Sequence, residues 1–583
     1  MVGHLTDTSS PAPVTSPGRL SFQTPLLFER LRTEFDLSCA ALSWHDLARG
    51  APPDDSAELD RARQAIDWLV SLKLSRSSGE IDPDQTPDVP FVLVLDQPRS
   101  AENAPAEAGM TEMLVFAQTE LLNARVAILG CDDGFFSDST DPRLTLLPPN
   151  ANLYRLLEAA TAVYTHSAGY GFDAILAGHR PRVFGRPWYG ALGLTADEDP
   201  DPHSPHRLTR AQLFLAALIR ATTWHAGTET LEIEDILARL EARERAIRED
   251  APGYIASGIL RWKHRFLRQY LGRNGLTISD DPSVIAHEKS AGRRHIAWGA
   301  PPEADLRLED GFLRSRGLGA ALVRPLSLVL DDSGIYFDPT RPSRLETLIA
   351  ERPPLSAAQQ ARIARFLSRL KALHLSKYNV GAELPPLPKG HRILVAGQVE
   401  DDASITLGAG KISTNLALLQ AARAAHPEAI LVYKPHPDVE AGLRRGKLPA
   451  ANDIADVIAS EADPLALIEA CDAVWTMTSL IGFEALLRGT PVTCTGAPFY
   501  AGWGLTTDLG PVPARRAARP DLMSLAHAVL IDYPRYFDPK SGTPLSPEEA
   551  LELLSQAPKG RSRFAQTLLA RLRQLRAATL GIR

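Results

Sequence analysis

The stretch Thr476–Asp508, TMTSLIGFEALLRGTPVTCTGAPFYAGWGLTTD, decides the fold. It continues the apolar run AVWT, which reads as a buried strand ending at Thr476. Thr476, Thr478 and Ser479 are small hydroxyl residues suited to a helix N-terminus, where backbone N–H groups attract anions. Gly482 reads as a place for close approach of a ligand, and Glu484 falls on the first turns. Gly489-Thr490-Pro491 stops the helix, VTCT is a second short strand, and GAPFYAGWGLTTD is a glycine- and aromatic-rich loop. Strand, phosphate-friendly helix start, strand and rigid loop together predict a nucleotide site at the strand ends of an α/β sheet.

The stretch occurs twice. Residues 162–197, AVYTHSAGYGFDAILAGHRPRVFGRPWYGALGLTAD, align with 473–508 without a gap, and so long a period means duplicated domains rather than a solenoid. Further out, FVLVLDQ (91–97) matches RILVAGQ (392–398), each a buried strand ending on a glutamine, Gln97 or Gln398. RQAIDWLVSLKLSR likewise resembles RIARFLSRLKALHLSK. The copies part company where chemistry is expected. The second has ILVYKPHPD, placing Lys434, His436 and Pro437 just past a strand and facing the helix start at Ser479; the first has RVAILGCDD. Only the second is preceded by HIAWG (295–299), RLEDGFLRSRGLG (307–319) and PLSLVLDDSGIYFDPTRPSRLE (325–346).

At 583 residues the chain is too long for one core, and 44% hydrophobic with 23% charged residues is ordinary for a globular protein. The pattern predicts a disordered Ser/Thr/Pro-rich segment at 1–20 and a degenerate first module at 21–255, mostly one Rossmann-like lobe. The N-lobe of the second module, with a basic linker helix, is expected at 256–375, its nucleotide-binding C-lobe at 376–545, and C-terminal helices with a basic tail at 546–583. A net charge of −7 argues against a dedicated nucleic-acid binder. Cys39, Cys131, Cys471 and Cys494 lack metal-ligand spacing, and the chain opens without a signal-peptide pattern, so a reducing cytoplasm is expected. No apolar run reaches the ~18 residues of a membrane span, leaving only peripheral attachment.

RLEDGFLRSRGLG, GIYFDPTRPSRLE, LSKYNVG, GQVEDDASI, VYKPHPDVEAGLRRG and the 476–508 stretch resemble the capsular polysaccharide β-Kdo transferases of Gram-negative bacteria, of the two-module KpsC type. The resemblance is dense over 280–540 and weak over 60–240. It implies an α/β, GT-B-like glycosyltransferase: Rossmann-like lobes around a cleft, in duplicated modules, the first incomplete. It implies CMP-Kdo as donor substrate without a cofactor, a β-Kdo linker on a phosphatidylglycerol-type lipid as acceptor, and retention of anomeric configuration. Capsule biosynthesis and export at the inner-membrane surface, beside other capsule assembly proteins, would be the setting.

Departure of CMP demands stabilisation of growing phosphate charge, for which Lys434, His436 and the helix start at Thr478–Ser479 are suited. The expected donor-binding set is Lys434, His436, Pro437, Thr478, Ser479, Glu484 and Gln398; the catalytic set is Asp310, Glu309 and His436, and no metal site is visible. Retention needs a carboxylate nucleophile or front-face attack. The resemblance favours Asp310 as nucleophile, with Glu309 orienting it or acting as acid/base.

Plainer readings compete. His436-Pro437 could cap a loop, Glu309-Asp310 could be a solvated turn, and Glu484 could pair with a neighbouring Arg. Asp331-Asp332 reads as a hairpin turn, and Trp503 as core. GAGK (408–411) is no P-loop, since Ile405 and Ile412 stand where that motif needs Gly and Ser or Thr. Trp298-Gly299 is followed by APPEAD, where the family carries a glycine- and lysine-containing run. Two basic helices, 261–273 and 561–577, read either as packing helices or as contacts to an anionic membrane. Two other functions stand beside Kdo transfer: a GT-B transferase for another nucleotide sugar, and a non-catalytic subunit of capsule assembly or export.

Overall fold

The computed structural model describes residues 24–34, 52–76, 84–99, 107–121, 123–200, 206–220, 224–226, 229–299, 303–315, 322–377, 379, 383–440, 444 and 448–556. The expected disordered segment 1–20 and the basic helix 561–577 lie outside these. Contacts divide the chain at Ile233/Glu234, earlier than the module boundary at 255 expected from sequence.

Among the described residues, the first unit forms a six-stranded parallel sheet: β1 (Phe91–Leu95), β2 (Arg125–Leu129), β3 (Leu144–Leu147), β4 (Ala162–Thr165), β5 (Arg182–Val183) and β6 (Ala196–Asp197). Its order is β3-β2-β1-β4-β5-β6, and a short hairpin of β7 (Trp224–Ala226) and β8 (Glu229–Leu231) follows. This is one Rossmann-like lobe, with β1 a continuous buried apolar run, as both-face burial of a parallel strand requires.

The second unit has two lobes. The first is a mixed sheet of β9 (Tyr254–Ser257), β10 (Leu276–Ile278), β11 (Arg294–Trp298), β12 (Leu306–Asp310) and β13 (Ser327–Asp331). The other is parallel, in the order β16-β15-β14-β17-β18-β19: β14 (Arg392–Ala396), β15 (Ile430–Lys434), β16 (Val457–Ile458), β17 (Ala473–Thr476), β18 (Val492–Cys494) and β19 (Thr507–Asp508). The chain then returns to the first sheet as β20 (Pro534–Phe537), antiparallel to β13, and β21 (Pro544–Leu545), so residues 534–545 complete the N-lobe although they follow the C-lobe in sequence.

Alternation explains why helices cover both faces of the parallel sheet. Ile393, Val395, Leu431, Tyr433 and Trp475 pack with Leu418, Leu419 and Ala422 of the helix Asn415–Ala425. Leu394, Val432 and Val474 point the other way, to Leu465, Ile468 and Phe483 of the helices Pro464–Ala470 and Leu480–Leu486. Two Rossmann-like lobes in one unit make a GT-B-like fold, with an incomplete duplicate before it. Trp503 is core, and Asp331 is the expected turn residue, its Oδ1 accepting the N–H groups of Ser333 and Gly334.

Two expectations need correction. The helix Ile233–Asp250, read as the close of the first module, is joined from Glu234 onward to the second unit by long-range ion pairs: Arg239–Glu549, Glu241–Arg362 and Asp250–Arg535. The basic segment at 261–273 is not a free amphipathic surface. Phe266, Leu267, Tyr270 and Leu271 are buried against Ile296, Leu308, Leu328 and Phe537, and Tyr270 stacks on Phe537 at 4.5 Å. Its apolar side is already covered, while Arg261, Arg265 and Arg268 are exposed.

Candidate active site

Strand order reverses at β14, between β15 and β17, which opens a crevice at their carboxyl ends. Gln398 stands there. Its Oε1 accepts the Thr478 N–H at 2.8 Å and its Nε2 donates to the Thr478 hydroxyl at 3.0 Å, while Asn415 grips the Gln398 backbone through two 2.8 Å bonds. The Ser479 N–H donates to the Thr476 hydroxyl, and the Ser479 hydroxyl accepts from Ile481. The amides of Thr478, Ser479 and Ile481 are thus bonded within the loop, which fixes its shape. Gly482 likewise serves packing: a Cβ there would lie 2.3 Å from the Tyr500 hydroxyl, which donates to the Ser479 carbonyl.

Lys434 ends β15 and is buried with Glu440, Nζ to Oε2 at 3.0 Å. That ammonium is engaged by a carboxylate, and the pair holds the turn that carries His436 and Pro437. Pro437 opens the short helix Pro437–Glu440. His436 Nδ1 accepts the Asp438 N–H at 3.1 Å, which places the neutral ring's proton on Nε2. Burial pushes the imidazole down to about 4, opposed by the charge of Asp402 and assisted by those of Lys377, Lys434 and Arg444. His436 is thus a neutral N–H donor at physiological pH. Burial also raises the carboxyl of Asp438, whose Oδ1 is buried without a hydrogen-bond partner.

Glu309 and Asp310 close β12 in the other lobe, and they are not a solvated turn. The Asp310 N–H donates to Glu309 Oε1 at 2.9 Å, and Asp310 Oδ2 accepts from Arg314 Nε at 2.5 Å. Arg314, 2% exposed, also donates to the Ser315 hydroxyl and the Val323 carbonyl. One oxygen of Asp310 is anchored while the other, Oδ1, is buried and unpartnered. Burial and the charge of Asp310 push Glu309 up to about 7, against the opposing charges of Lys263 and Lys377.

Lys377 joins the lobes. Its carbonyl accepts the N–H groups of Arg314 and Ser315, and its own N–H donates to Glu484 Oε1 at 3.1 Å. Its charge bears on Glu309 in one lobe and on His436, Asp438 and Glu484 in the other, and that of Arg314 bears on Asp438. Glu309 in one lobe and His436 and Asp438 in the other thus lie within range of the same lysine charge. Glu484 is pushed up to about 7 by burial, and the Arg488 guanidinium bonds its backbone carbonyl at 3.2 Å. Lys263, Arg314, Lys377 and Asp438 were not singled out from sequence. Arg314, Lys377 and Asp438 sit inside the quoted motifs, whereas Lys263 lies in the basic segment and carried no signal of its own.

The capsule polysaccharide biosynthesis protein family model matches residues 135–225, 304–382 and 374–536. The chain belongs to this family. Glu309, Asp310, Lys377, His436, Asp438 and Glu484 all fall in the matched segments, and Lys263 falls outside them. The capsule polysaccharide modification protein LipA of Neisseria meningitidis serogroup B is 35% identical over 549 residues, covering 86% of this chain and 77% of LipA. The lipopolysaccharide-processing protein LpsZ of Rhizobium meliloti is 45% identical over 265 residues, 44% of this chain and 59% of LpsZ. The structure of the β-Kdo 2,4-transferase of Thermosulfurimonas dismutans KpsC aligns at 32% identity over 52% of this chain and 98% of that chain, with a TM-score of 0.46. Family and GT-B-like fold together make this capsule biosynthesis family member a glycosyltransferase.

The first unit keeps the scaffold of the site. Gln97 accepts the Ser167 N–H as Gln398 accepts that of Thr478, and the Tyr189 hydroxyl donates to Ala168 as Tyr500 does to Ser479. Asp173, in the place of Glu484, accepts the Leu26 N–H at 2.9 Å and the Tyr154 hydroxyl at 3.0 Å. Glu29 accepts from the Tyr170 hydroxyl and lies 3.6 Å from Arg76. The unit's own helix Leu26–Glu34 thus occupies the groups that would face a ligand. Among the described residues, no His, Cys, Asp or Glu cluster could hold a metal ion, and no helix is long and apolar enough to cross a membrane.

Proposed function

We propose that the second unit transfers Kdo from CMP-Kdo to a lipid-linked β-Kdo linker in capsule biosynthesis, with retention of configuration. The observation that carries this reading is an anchored Asp310 in one lobe and a neutral His436 in the other, both under the charge of Lys377 or Arg314. Asp310 is the nucleophile: Arg314 keeps it oriented and its free Oδ1 attacks the anomeric carbon. The His436 Nε2–H and nearby cations stabilise the departing CMP phosphate. Glu309, poised near 7, takes the proton of the acceptor hydroxyl as that oxygen attacks the anomeric carbon and releases the Asp310 carboxylate. The motifs shared with the β-Kdo transferases support the donor and acceptor. Incubation of the full chain with CMP-Kdo and a fluorescent Kdo-lipid acceptor, followed by mass and linkage analysis, tests the reading; a product that keeps its mass and releases no CMP overturns it.

His436→Ala is expected to lower turnover about a hundredfold, on the order of 3 kcal/mol in the barrier, without shifting the melting transition. Unchanged kinetics would remove His436 from the site.

The acceptor sits in a membrane, so we place the protein peripherally on the cytoplasmic face of the inner membrane. Residues 559–583 hold seven Lys and Arg and no Asp or Glu. Each such residue contributes roughly 1 kcal/mol near an anionic leaflet, so sedimentation with anionic liposomes should weaken with salt and with Arg571/Arg573/Arg576→Gln. Binding indifferent to both leaves the tail without this role.

A further inference from the structure

We propose that Lys263 is the binding group for the carboxylate of an acidic sugar in the cleft, an inference that rests on the functional reading above. Lys263 closes the turn Arg261–Lys263 ahead of the helix His264–Leu271 and is 8% exposed. Its backbone is fixed by its N–H to the Leu260 carbonyl at 2.9 Å. Its Nζ sits over the Trp298 ring, 2.8 Å from the centroid, so the indole face holds the cation in place. Among the described residues no side-chain or backbone acceptor takes a hydrogen bond from this ammonium.

That is unusual beside two carboxylates. Glu309 and Asp310 both act on Lys263 electrostatically, yet Glu309 Oε1 is taken by the Asp310 N–H and Asp310 Oδ2 by Arg314. Two acids and two bases, Glu309, Asp310, Lys263 and Arg314, form a cluster of no net charge when all are ionised. The roles of the bases differ: Arg314 is spent on Asp310, Ser315 and Val323, whereas Lys263 keeps its donors. An acidic sugar must approach Asp310 closely enough for bond formation, and its carboxylate would be repelled by both acids. Lys263 offsets that repulsion at the same wall of the cleft and supplies charge-assisted hydrogen bonds. Donor and acceptor both carry such a carboxylate, and kinetics separate them.

The charged groups facing Lys263 are Glu309 and Asp310, which favour its ammonium, and Arg314, which opposes it. Burial dominates and pulls it down from 10.5 to about 8. The ammonium is present below pH 8 and lost as pH rises through it.

The experiment measures KM for CMP-Kdo and for the Kdo-lipid acceptor separately, in wild type, Lys263→Met and Lys263→Arg, each checked by thermal melting. Loss of a charge-assisted hydrogen bond should raise one KM roughly ten- to a hundredfold in Lys263→Met while kcat changes far less. A rise in the donor KM places the donor carboxylate on Lys263, and a rise in the acceptor KM places that of the acceptor. Lys263→Arg, which keeps its charge at every accessible pH, should restore most of the affinity and abolish the rise in KM above pH 8. The limb set by Glu309 near 7 should persist in Lys263→Arg and move to higher pH in Lys263→Met, where the opposing charge of Lys263 is gone. If Lys263→Met fails to fold, Lys263→Arg and the wild-type pH profile decide. Both KM values unchanged in a folded Lys263→Met, or a wild-type KM flat across pH 8, overturns the assignment alone; absence of turnover by wild type overturns the functional reading and this assignment with it.

Discussion

Asp310→Asn should reduce turnover by about four orders of magnitude, ~5 kcal/mol in the barrier, while the protein stays folded. The expectation follows from the two oxygens of Asp310 having different duties. Oδ2 is held by Arg314, and that contact survives in part because asparagine keeps a carbonyl oxygen for the guanidinium. Oδ1 accepts no hydrogen bond, so its lone pairs are uncommitted. Asparagine retains the shape and loses the nucleophile. Asp310→Glu, which retains the charge but shifts it by a methylene, should be almost as poor, because near-attack geometry tolerates little displacement. Steady-state release of CMP, read beside donor affinity, checks this: affinity within a few-fold of wild type and turnover near zero is the expected pair. Asp310→Asn with a tenth or more of wild-type turnover would give the nucleophile's role to another group or to front-face attack.

How much of this was legible in sequence depends on the range of the physics involved. The duplication and the buried strands could be read because period and apolar runs are local properties, as FVLVL and RILVA show. His436, Glu309 and Asp310 could be named because they lie in recognisable motifs. Side-chain partners distant along the chain could not. The pairing of Lys434 with Glu440, six residues on, and the filling of the space at Gly482 by Tyr500 have no signature in the motif itself. The helix at 233–250 looked like the end of the first module because the glutamates and arginines that tie it to Arg362, Glu549 and Arg535 have no local signature. Lys263 was hidden for the same reason: a lysine in a basic segment is normally solvated, and only the packing of Phe266 and Tyr270 turns it inward.

Arg535→Met is expected to destabilise the second unit by about 3–5 kcal/mol, because it leaves a buried carboxylate without its counter-charge. Arg535 and Asp250 are 5% and 1% exposed and meet in a two-pronged contact, Nη1–Oδ1 at 2.6 Å and Nη2–Oδ2 at 2.8 Å. Tyr254 adds a 2.9 Å bond to the same carboxylate, too little to compensate a bare anion. The pair fastens the helix Ile233–Asp250 to β20, the strand that returns from the C-lobe to extend the sheet carrying Glu309 and Asp310. Arg535→Met with Asp250→Leu removes both charges and should recover most of the loss; a single variant that melts with wild type, or a double variant no better than the single, would show that the pair does not hold this strand. The neighbouring Glu249 supplies a pH signature. Burial raises its carboxyl, but Arg245, Arg535 and Arg344 outweigh that and hold it near about 2, below its ordinary 4.5. Its folded-state pKa being depressed, its stabilisation is complete above 4.5 and is lost as pH falls towards 2. Without Arg535 one of the three cations is gone, the folded pKa rises, and acid unfolding of Arg535→Met should begin at a higher pH than that of wild type.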